Sequence, residues 1–351
     1  MALALFAAGP GAADDGVSSG PVDAAAPGPV ELQIVGGLAG VTQYTRFEQP
    51  FWTEEIEARS NGRIRASIRP LDGGSLRAEE MLQLMRLGVV SFGTAIVTVV
   101  AGDEPELNAV DLPVLNPDIA ALRRSVALLR EPLRDMLHAR YGIELLGVYV
   151  YPAQVLFCTR AFRGLDDLAG RRIRTSSVGQ SDLVTALEAV PVQVPFADIL
   201  PALRTGVADC AITGTLSGYE IGLPAVTSHV HAMAISWGVS VFGANEQAWE
   251  ALPPDIRSVI RSGVADLEQR IWAGAERDTA RGIACNTGTA ACGGPPGHMT
   301  LVPTSAADQA RRRQLLSQAV LPRWIERCGP ACTRLWDDLR AAAQGVEIQH
   351  E

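Results

Sequence analysis

Arg174 is the residue of this sequence best placed to bind an anion. It ends a strand-like segment, directly before residues 175–180 and a helix expected to begin near Ser181. Strand ends that lead into helix N-termini collect ligands in α/β folds. A guanidinium can hold a carboxylate through two parallel hydrogen bonds, which lysine does not reproduce. The position therefore predicts carboxylate binding, whereas Arg171 and Arg172 are expected to form surface ion pairs.

A second set of candidates follows from residues 235–245, whose alternating pattern is typical of a strand. Trp237 could stack on a ligand or pack in the core, and Phe242 is expected in the core. Asn245 could reach the ligand or simply end the strand. Three further candidates follow an expected first strand and should face the cleft in which Arg174 would bind its ligand: Thr42, Gln43 and Tyr44.

No motif in the sequence indicates catalysis. We find neither a Gly-x-Ser-x-Gly elbow nor a His-Glu-x-x-His motif. His229 and His231 could share one face of a strand, but no third metal ligand is evident nearby, so a structural role is expected. A net charge of −9 argues against nucleic acid as a partner. We therefore predict a binding protein with no cofactor and no metal, not an enzyme.

The elements that must position these residues alternate between strand-like and helix-like, which predicts an α/β fold. Strands are expected at 32–36, 63–69 and from 89, with helices at about 47–59 and 78–86 between them. A similar order recurs over residues 170–213. This echo suggests two lobes of like architecture with a cleft between them. A helical pattern over about 255–283 is long enough to run across both lobes, and helices at 305–326 and 331–343 follow it.

The N-terminus and the cysteines favour export. Residues 1–8 are apolar and small residues follow them, which resembles the end of a signal peptide whose basic leader is absent; the alternative is a disordered tail. Residues 9–29 are expected to be unstructured. Two disulfides are expected from close spacing in an oxidising compartment, Cys285 with Cys292 and Cys328 with Cys332. Cys158 and Cys210 lie singly in apolar segments and are expected to be buried free thiols.

Four segments, in order, resemble the solute-binding proteins of TRAP (tripartite ATP-independent periplasmic) transporters of the DctP type. They are Asp111-Leu-Pro-Val-Leu, Leu165-Asp-Asp-Leu-Ala-Gly-Arg-Arg-Ile-Arg-Thr, Val194-Pro-Phe-Ala-Asp-Ile-Leu-Pro-Ala-Leu-Arg-Thr-Gly-Val-Ala-Asp and Trp249-Glu-Ala-Leu-Pro-Pro-Asp. The resemblance covers about residues 30–345. It implies a two-lobed, type II periplasmic-binding-protein-like fold with a hinge and a long helix across both lobes. It also implies lobes built from separate segments: 30–150 with about 236–270, and 151–235 with about 271–345, after a leader over 1–29.

The resemblance also implies roles for single residues. Arg174 matches the arginine that pairs with the ligand's carboxylate. Ser177 lies where the family often has a small or polar pocket residue, although a helix cap is the alternative. Thr213 and Gly214 stand in place of the family's usual Asp-Gly-x-Glu-Asn run. Gln154 stands where some members carry a second arginine, so we infer a monocarboxylate or a ligand whose second group is polar.

The function implied is that of a periplasmic receptor, which closes over a small organic acid and delivers it to the permease subunits of the membrane transporter. Two alternatives stay open from the sequence. One is a ligand-binding module that serves a sensor. The other is an enzyme on the same two-lobed scaffold, since a fold does not fix a function.

Overall fold

A computed structural model of the 351-residue chain describes residues 28–74 and 76–348. The predicted signal remnant therefore lies outside the described residues, apart from residues 28 and 29, and it stays a prediction. Within the described part, no helix combines the length and the apolar character that crossing a membrane requires.

The strands and helices alternate along most of the described chain. The strands are β1 (Val30–Val35), β2 (Ile64–Arg69), β3 (Phe92–Ile96), β4 (Ile143–Tyr149), β5 (Gln154–Cys158), β6 (Arg172–Thr175), β7 (Val190–Gln193), β8 (Cys210–Gly214), β9 (His229–His231), β10 (Ser240–Asn245) and β11 (Thr300–Val302). The α-helices are α1 (Ile56–Arg59), α2 (Met81–Arg86), α3 (Val97–Val100), α4 (Ile119–Tyr141), α5 (Val178–Ala186), α6 (Ile199–Arg204), α7 (Thr215–Glu220), α8 (Glu246–Glu250), α9 (Pro254–Thr287), α10 (Ala306–Leu315), α11 (Leu321–Cys328) and α12 (Pro330–Ile348). Short π- and 3-10-helical segments join several of them, and Gln43–Glu48 and Phe51–Glu55 lead into α1.

Two sheets form the two lobes, as the sequence predicts. The first lobe has five strands in the order β2-β1-β3-β10-β4, and the second has six in the order β11-β9-β5-β8-β6-β7. β1 runs parallel to β2 and β3, while β10 runs antiparallel to β3. In the second lobe β6 runs parallel to β7 and β8, while β5 runs antiparallel to β8. Each sheet therefore has one edge where several parallel strands end.

The chain crosses between the lobes twice through short connecting segments, and a third time along α9, which leads to β11 in the second sheet. It leaves the first sheet after β4 and returns before β10, which inserts between β3 and β4. One prediction about the second crossing is wrong. The strand expected over 235–245 begins only at Ser240. Residues 236–239 are buried but lie outside the first sheet, and Ser236 forms an isolated bridge with Gln154 of the second lobe. The buried carboxylate of Asp111 holds this crossing by accepting hydrogen bonds from the amides of Trp237 and Val239.

The long helix α9 packs against both lobes. It lies on β4 and α1 of the first lobe and on α7 of the second. Its 34 residues correspond to about 50 Å of length. The expected lobe-spanning helix is thus confirmed; it begins one residue before the expected start and ends four residues after the expected end. The 23-residue helix α4 was not identified from the sequence; it contains Pro132, a residue that usually interrupts helices.

All six cysteines are paired in disulfides. Two of the pairs, Cys285–Cys292 and Cys328–Cys332, are those expected from the sequence. The expectation that Cys158 and Cys210 are free thiols is wrong, because they form the third disulfide. They lie opposite each other on the antiparallel strands β5 and β8, and a separation of 52 residues gives no local sign of this pairing.

Candidate functional site

A cavity of about 590 Å³ lies between the two lobes, a size typical of small-molecule sites. The second lobe contributes the edge where β6, β7 and β8 end and β5 begins, and the first lobe contributes residues that follow β1, β2 and β3. The carboxyl ends of the parallel strands of both sheets, where α/β folds bind ligands, therefore border the same cavity. The two segments that cross between the lobes, after β4 and before β10, add Tyr151 and Gly238 to the cavity lining.

Arg174 lies in this cavity as a buried cation. Its side chain is only 3% exposed, and two of its nitrogens are held by backbone carbonyls. Nε donates to Val194 O at 2.8 Å and Nη1 donates to Ile212 O at 2.9 Å. Because one carbonyl belongs to β8 and the other to the residue directly after β7, the two strands that flank β6 orient the guanidinium. No described residue accepts a hydrogen bond from its remaining nitrogen, Nη2.

No carboxylate in the described chain pairs with Arg174, and burial alone lowers the pKa of its guanidinium to about 9. Arg172, two residues earlier on the same strand, is different. It is half exposed and forms an ion pair with Asp209 at 2.9 Å, as expected of a surface arginine. A buried cation without a counter-charge is costly, and a bound anion would offset that cost.

Gln154 lies beside Arg174 in the cavity lining. Its Oε1 accepts hydrogen bonds from Gln180 Nε2 at 2.9 Å and from Ser236 Oγ at 3.3 Å. These bonds leave Nε2 as a donor available to the cavity. Gly238 has a φ of +62°, which favours glycine, and a Cβ at this position would come within 2.6 Å of Nε2 and displace the end of the Gln154 side chain.

Hydroxyl groups complete the second lobe's side of the cavity. Thr213 and Gly214 line it, as do Ser176 and Ser217, which were not identified from the sequence. Ser176 could have been found by alternation, because residues two apart in an extended segment share a face and Arg174 marks that face. Ser177 instead caps α5, where its Oγ accepts a hydrogen bond from Gln180 N at 3.2 Å, and it does not line the cavity.

Two further sequence candidates lie elsewhere in the molecule. Trp237 packs in the core, where its Nε1 donates to Asn116 O at 3.0 Å. Asn245 caps α8 and donates to Met85 O at 2.9 Å, at the opposite end of β10 from the cavity. Neither residue lines the cavity, and we do not propose either as a ligand contact.

The candidates Thr42, Gln43 and Tyr44 lie behind the cavity wall and not on it. Gln43 Nε2 donates to the buried carboxylate of Glu48 at 2.6 Å, and Tyr44 donates to Ile68 O at 3.3 Å. Thr42 donates from its amide to Glu220 of the second lobe at 3.3 Å, and its hydroxyl also donates to that carboxylate. Their contacts join the lobes and support the loop after β1.

The first lobe's side of the cavity is mainly apolar. Five aliphatic side chains line it, namely Leu38, Leu71, Leu76, Ile96 and Val99. Charged groups stand at its exposed part: Asp72, Arg77 and Glu79. No feature of the sequence had singled these residues out, because an apolar loop residue in a cleft has the same pattern as one in a core.

The residues that line the cavity are suited to binding an anion. Arg174 supplies the charge, and Gln154 and the hydroxyls supply neutral hydrogen bonds around it. Nowhere in the described ranges do histidine, cysteine, aspartate and glutamate cluster as a metal site would require.

Comparison with known proteins places this geometry in context. The model of the family described as bacterial extracellular solute-binding protein, family 7, matches residues 40–284. A C4-dicarboxylate-binding periplasmic protein of Rhodobacter capsulatus is 25% identical over 218 residues. That alignment covers 61% of this chain and 64% of the relative, so it spans less than two thirds of the relative's length.

Solved structures share the fold over almost their whole length. An extracytoplasmic solute receptor from Bordetella pertussis that binds pyroglutamic acid superposes with a TM-score of 0.79 at 20% identity, covering 89% of this chain and 99% of the receptor. A TRAP solute-binding protein from Rhodoferax ferrireducens with bound malonate gives 0.77 at 19% identity, covering 90% and 99%. One from Bordetella bronchiseptica with bound mandelate gives 0.70 at 19% identity, covering 91% and 100%. At these identities the structures show the fold alone, while the family model matches well over half of the chain. The chain therefore belongs to family 7 of the bacterial extracellular solute-binding proteins.

Proposed function

We propose that this protein is the extracytoplasmic receptor of a TRAP transporter. It binds a small organic carboxylate at Arg174, between its lobes, and presents it to the permease subunits in the membrane. The observation that carries the proposal is the buried guanidinium, which lines the interlobe cavity and has no carboxylate partner within the described chain. The solved relatives with the same fold bind pyroglutamate, malonate or mandelate, each of which carries at least one carboxylate.

Ligand capture would proceed by closure of the lobes about the two crossing segments. The lobe boundaries that we propose are 30–150 with about 236–270, and 151–235 with about 271–345. The positions of β10 in the first sheet and of β11 in the second support this division. In this arrangement the ligand contacts both lobes, so its binding energy favours the closed form, which would be the form that docks on the permease.

The substitution Arg174→Lys tests the anchor. Lysine keeps the charge but cannot donate to Val194 O, to Ile212 O and to a carboxylate in the same fixed geometry. We expect the affinity for the natural acid to fall by roughly tenfold to a hundredfold, since a hydrogen bond to a charged group contributes about 1.5–3 kcal/mol. The acid is first identified by mass spectrometry of the small molecule that co-purifies, and its affinity is then measured by isothermal titration calorimetry.

Arg172→Lys is the matched control, because it changes an arginine of the same strand that lies outside the cavity. We expect its affinity to match that of the unchanged protein. Thermal unfolding of both variants separates loss of binding from loss of folding. Equal affinities of the folded Arg174→Lys variant and the unchanged protein would refute the anchor, and binding of no organic acid at all would refute the proposed function.

A further inference from the structure

The two sides of the cavity differ in chemistry, and this difference bears on the ligand. The second lobe presents Arg174, Gln154 and hydroxyl groups, beside a short apolar stretch over residues 194–197, and its described lining residues contribute no carboxylate. The first lobe presents aliphatic side chains, with Leu71 and Ile96 buried and Leu38, Leu76 and Val99 partly buried. A ligand whose carboxylate pairs with Arg174 therefore extends its other end toward an apolar wall.

The charges on the first lobe's side disfavour a second carboxylate. Asp72 and Glu79 are exposed carboxylates that line the cavity. The one basic residue beside them, Arg77, has a side chain that is 71% exposed and lies 3.6 Å from Glu80, which partly neutralises it. Among the described lining residues, no cation other than Arg174 and Arg77 is present. A second anionic group would therefore face two carboxylates and an apolar surface.

From this asymmetry we propose that the ligand is a monocarboxylate with an uncharged, apolar far end, and not a dicarboxylate. The inference rests on the proposed function, because it assumes that a carboxylate binds at Arg174. The fold does not decide the question, since relatives with the same fold bind malonate, which carries two carboxylates, and mandelate, which carries one. Gln154 agrees with the inference, because its free Nε2 can support the first carboxylate without adding a second positive charge.

Ligands of equal length and different far ends test the inference. Hexanoate and adipate share a six-carbon chain that ends in a methyl group or a carboxylate, and 6-aminohexanoate ends in an ammonium group. We expect hexanoate to bind about tenfold or more tightly than adipate, since placing like charges side by side in an interface is costly. Hexanoate is also expected to bind more tightly than 6-aminohexanoate, because desolvating an ammonium group against the aliphatic wall costs more than the solvent-exposed carboxylates of Asp72 and Glu79 return. Isothermal titration calorimetry with the purified chain measures all three.

The double variant Asp72→Asn with Glu79→Gln removes the negative charges from the first lobe's side. Asparagine can still accept the hydrogen bond that Asp72 accepts from Ala39 N. We expect adipate to bind several-fold more tightly to this variant than to the unchanged protein, and hexanoate to bind equally well to both. Glu31→Gln with Glu54→Gln is the matched control, because it removes the same charge from exposed positions outside the cavity lining.

The results separate this inference from the function on which it rests. Tighter binding of adipate or 6-aminohexanoate than of hexanoate, with affinity still lost in Arg174→Lys, would overturn the inference and leave the receptor function standing. Binding of none of the three acids, together with no co-purified carboxylate, would overturn both.

Discussion

At the scale of single residues, two buried carboxylates stand out because no cation in the described chain pairs with them. Glu48 accepts hydrogen bonds from Gly37 N and Gln43 Nε2, and Asp111 accepts them from the amides of the second crossing. Burial raises the pKa of Glu48 to about 7 and the pKa of Asp111 to about 7. Burial raises the pKa of Tyr149 and Tyr151, and the negative charge of Glu48 raises it further.

These two groups predict a stability that falls as the pH rises from about 4.5 to about 7. In that range the unfolded chain has released the proton of each carboxyl, whereas the folded chain still holds it, so folding becomes less favourable with every step in pH. Over the whole range from the ordinary pKa to about 7, the decrease amounts to about 3 kcal/mol for Glu48 and about 4 kcal/mol for Asp111. Denaturant unfolding of the ligand-free protein at pH 5, 6, 7 and 8 measures it.

Glu48→Gln isolates one of the two contributions. Glutamine does not titrate and can still accept one of the two hydrogen bonds, so we expect a shallower pH dependence between pH 5 and 7. A pH profile identical to that of the unchanged protein would show that Glu48 is ionised throughout. The Asp111 contribution is expected to remain in this variant.

Residue types in sequence were sufficient to find the charged centre of the site but not its surroundings. Arg174 is recognisable because it ends a strand before a helix, and Gln154, Thr213 and Gly214 lie around it. Ser177, Trp237 and Asn245 also lie at element ends, yet they cap helices or pack in the core. The direction of a side chain near the end of an element depends on where that element begins. The strand that ends at Asn245 begins five residues later than the sequence pattern indicates.

At the scale of elements, the close contact between α9 and α7 depends on a glycine, Gly282, which has no side chain. A Cβ at Gly282 would lie 2.2 Å from Leu216 N and 2.3 Å from Thr215 C, both backbone atoms of α7. Such atoms cannot move without shifting the whole helix. Gly282 therefore allows the long helix to lie against the backbone of the second lobe.

Gly282→Ala is expected to lower the thermal unfolding temperature, although alanine is the better helix former by about 1 kcal/mol. The steric cost of separating α9 from α7 exceeds this gain, since overpacking a close contact typically costs about 1–3 kcal/mol or more. Ser262→Ala on the exposed face of the same helix is the control and should leave the unfolding temperature nearly unchanged. A rise in unfolding temperature for Gly282→Ala, measured by calorimetry, would contradict the close contact.

The elements themselves were largely predictable where the chain repeats a local pattern. Amphipathic spacing gave α9, and alternating strands and helices gave both sheets. The sequence did not reveal that β10 inserts between β3 and β4, because that pairing joins residues at least 91 positions apart. It did not reveal α4 either, where burial of Leu122, Leu129 and Leu137 outweighs the cost of an internal proline.

At the scale of the whole molecule, Thr42 and Glu220 join the two lobes behind the cavity. Thr42 precedes the first helical segment of the first lobe, and Glu220 ends α7 of the second. The acceptor carboxylate thus caps the positive end of a helix that belongs to the other lobe. We expect this contact to stabilise the closed arrangement.

Thr42→Val removes the hydroxyl donor and keeps the shape of the side chain. If the contact supports closure, ligand affinity falls by up to about tenfold, because a smaller fraction of the protein is in the binding-competent form. Thr42→Ser retains the hydroxyl and should preserve the affinity. Titration calorimetry measures both variants, and small-angle X-ray scattering of the free proteins reports the opening. Unchanged affinity and unchanged scattering for Thr42→Val would exclude a role in closure.

The disulfide between Cys158 and Cys210 has a consequence for the opposite ends of the strands it joins. It locks the alignment of β5 on β8, and the first residue of β5 and the last residues of β8 are Gln154, Thr213 and Gly214. A slip of these strands by one position would turn those groups away from the guanidinium. Material synthesised in a reducing cytoplasm would lack this lock. If such material failed to retain ligand, the cause would be the missing disulfide, even where every side chain that lines the cavity is unchanged.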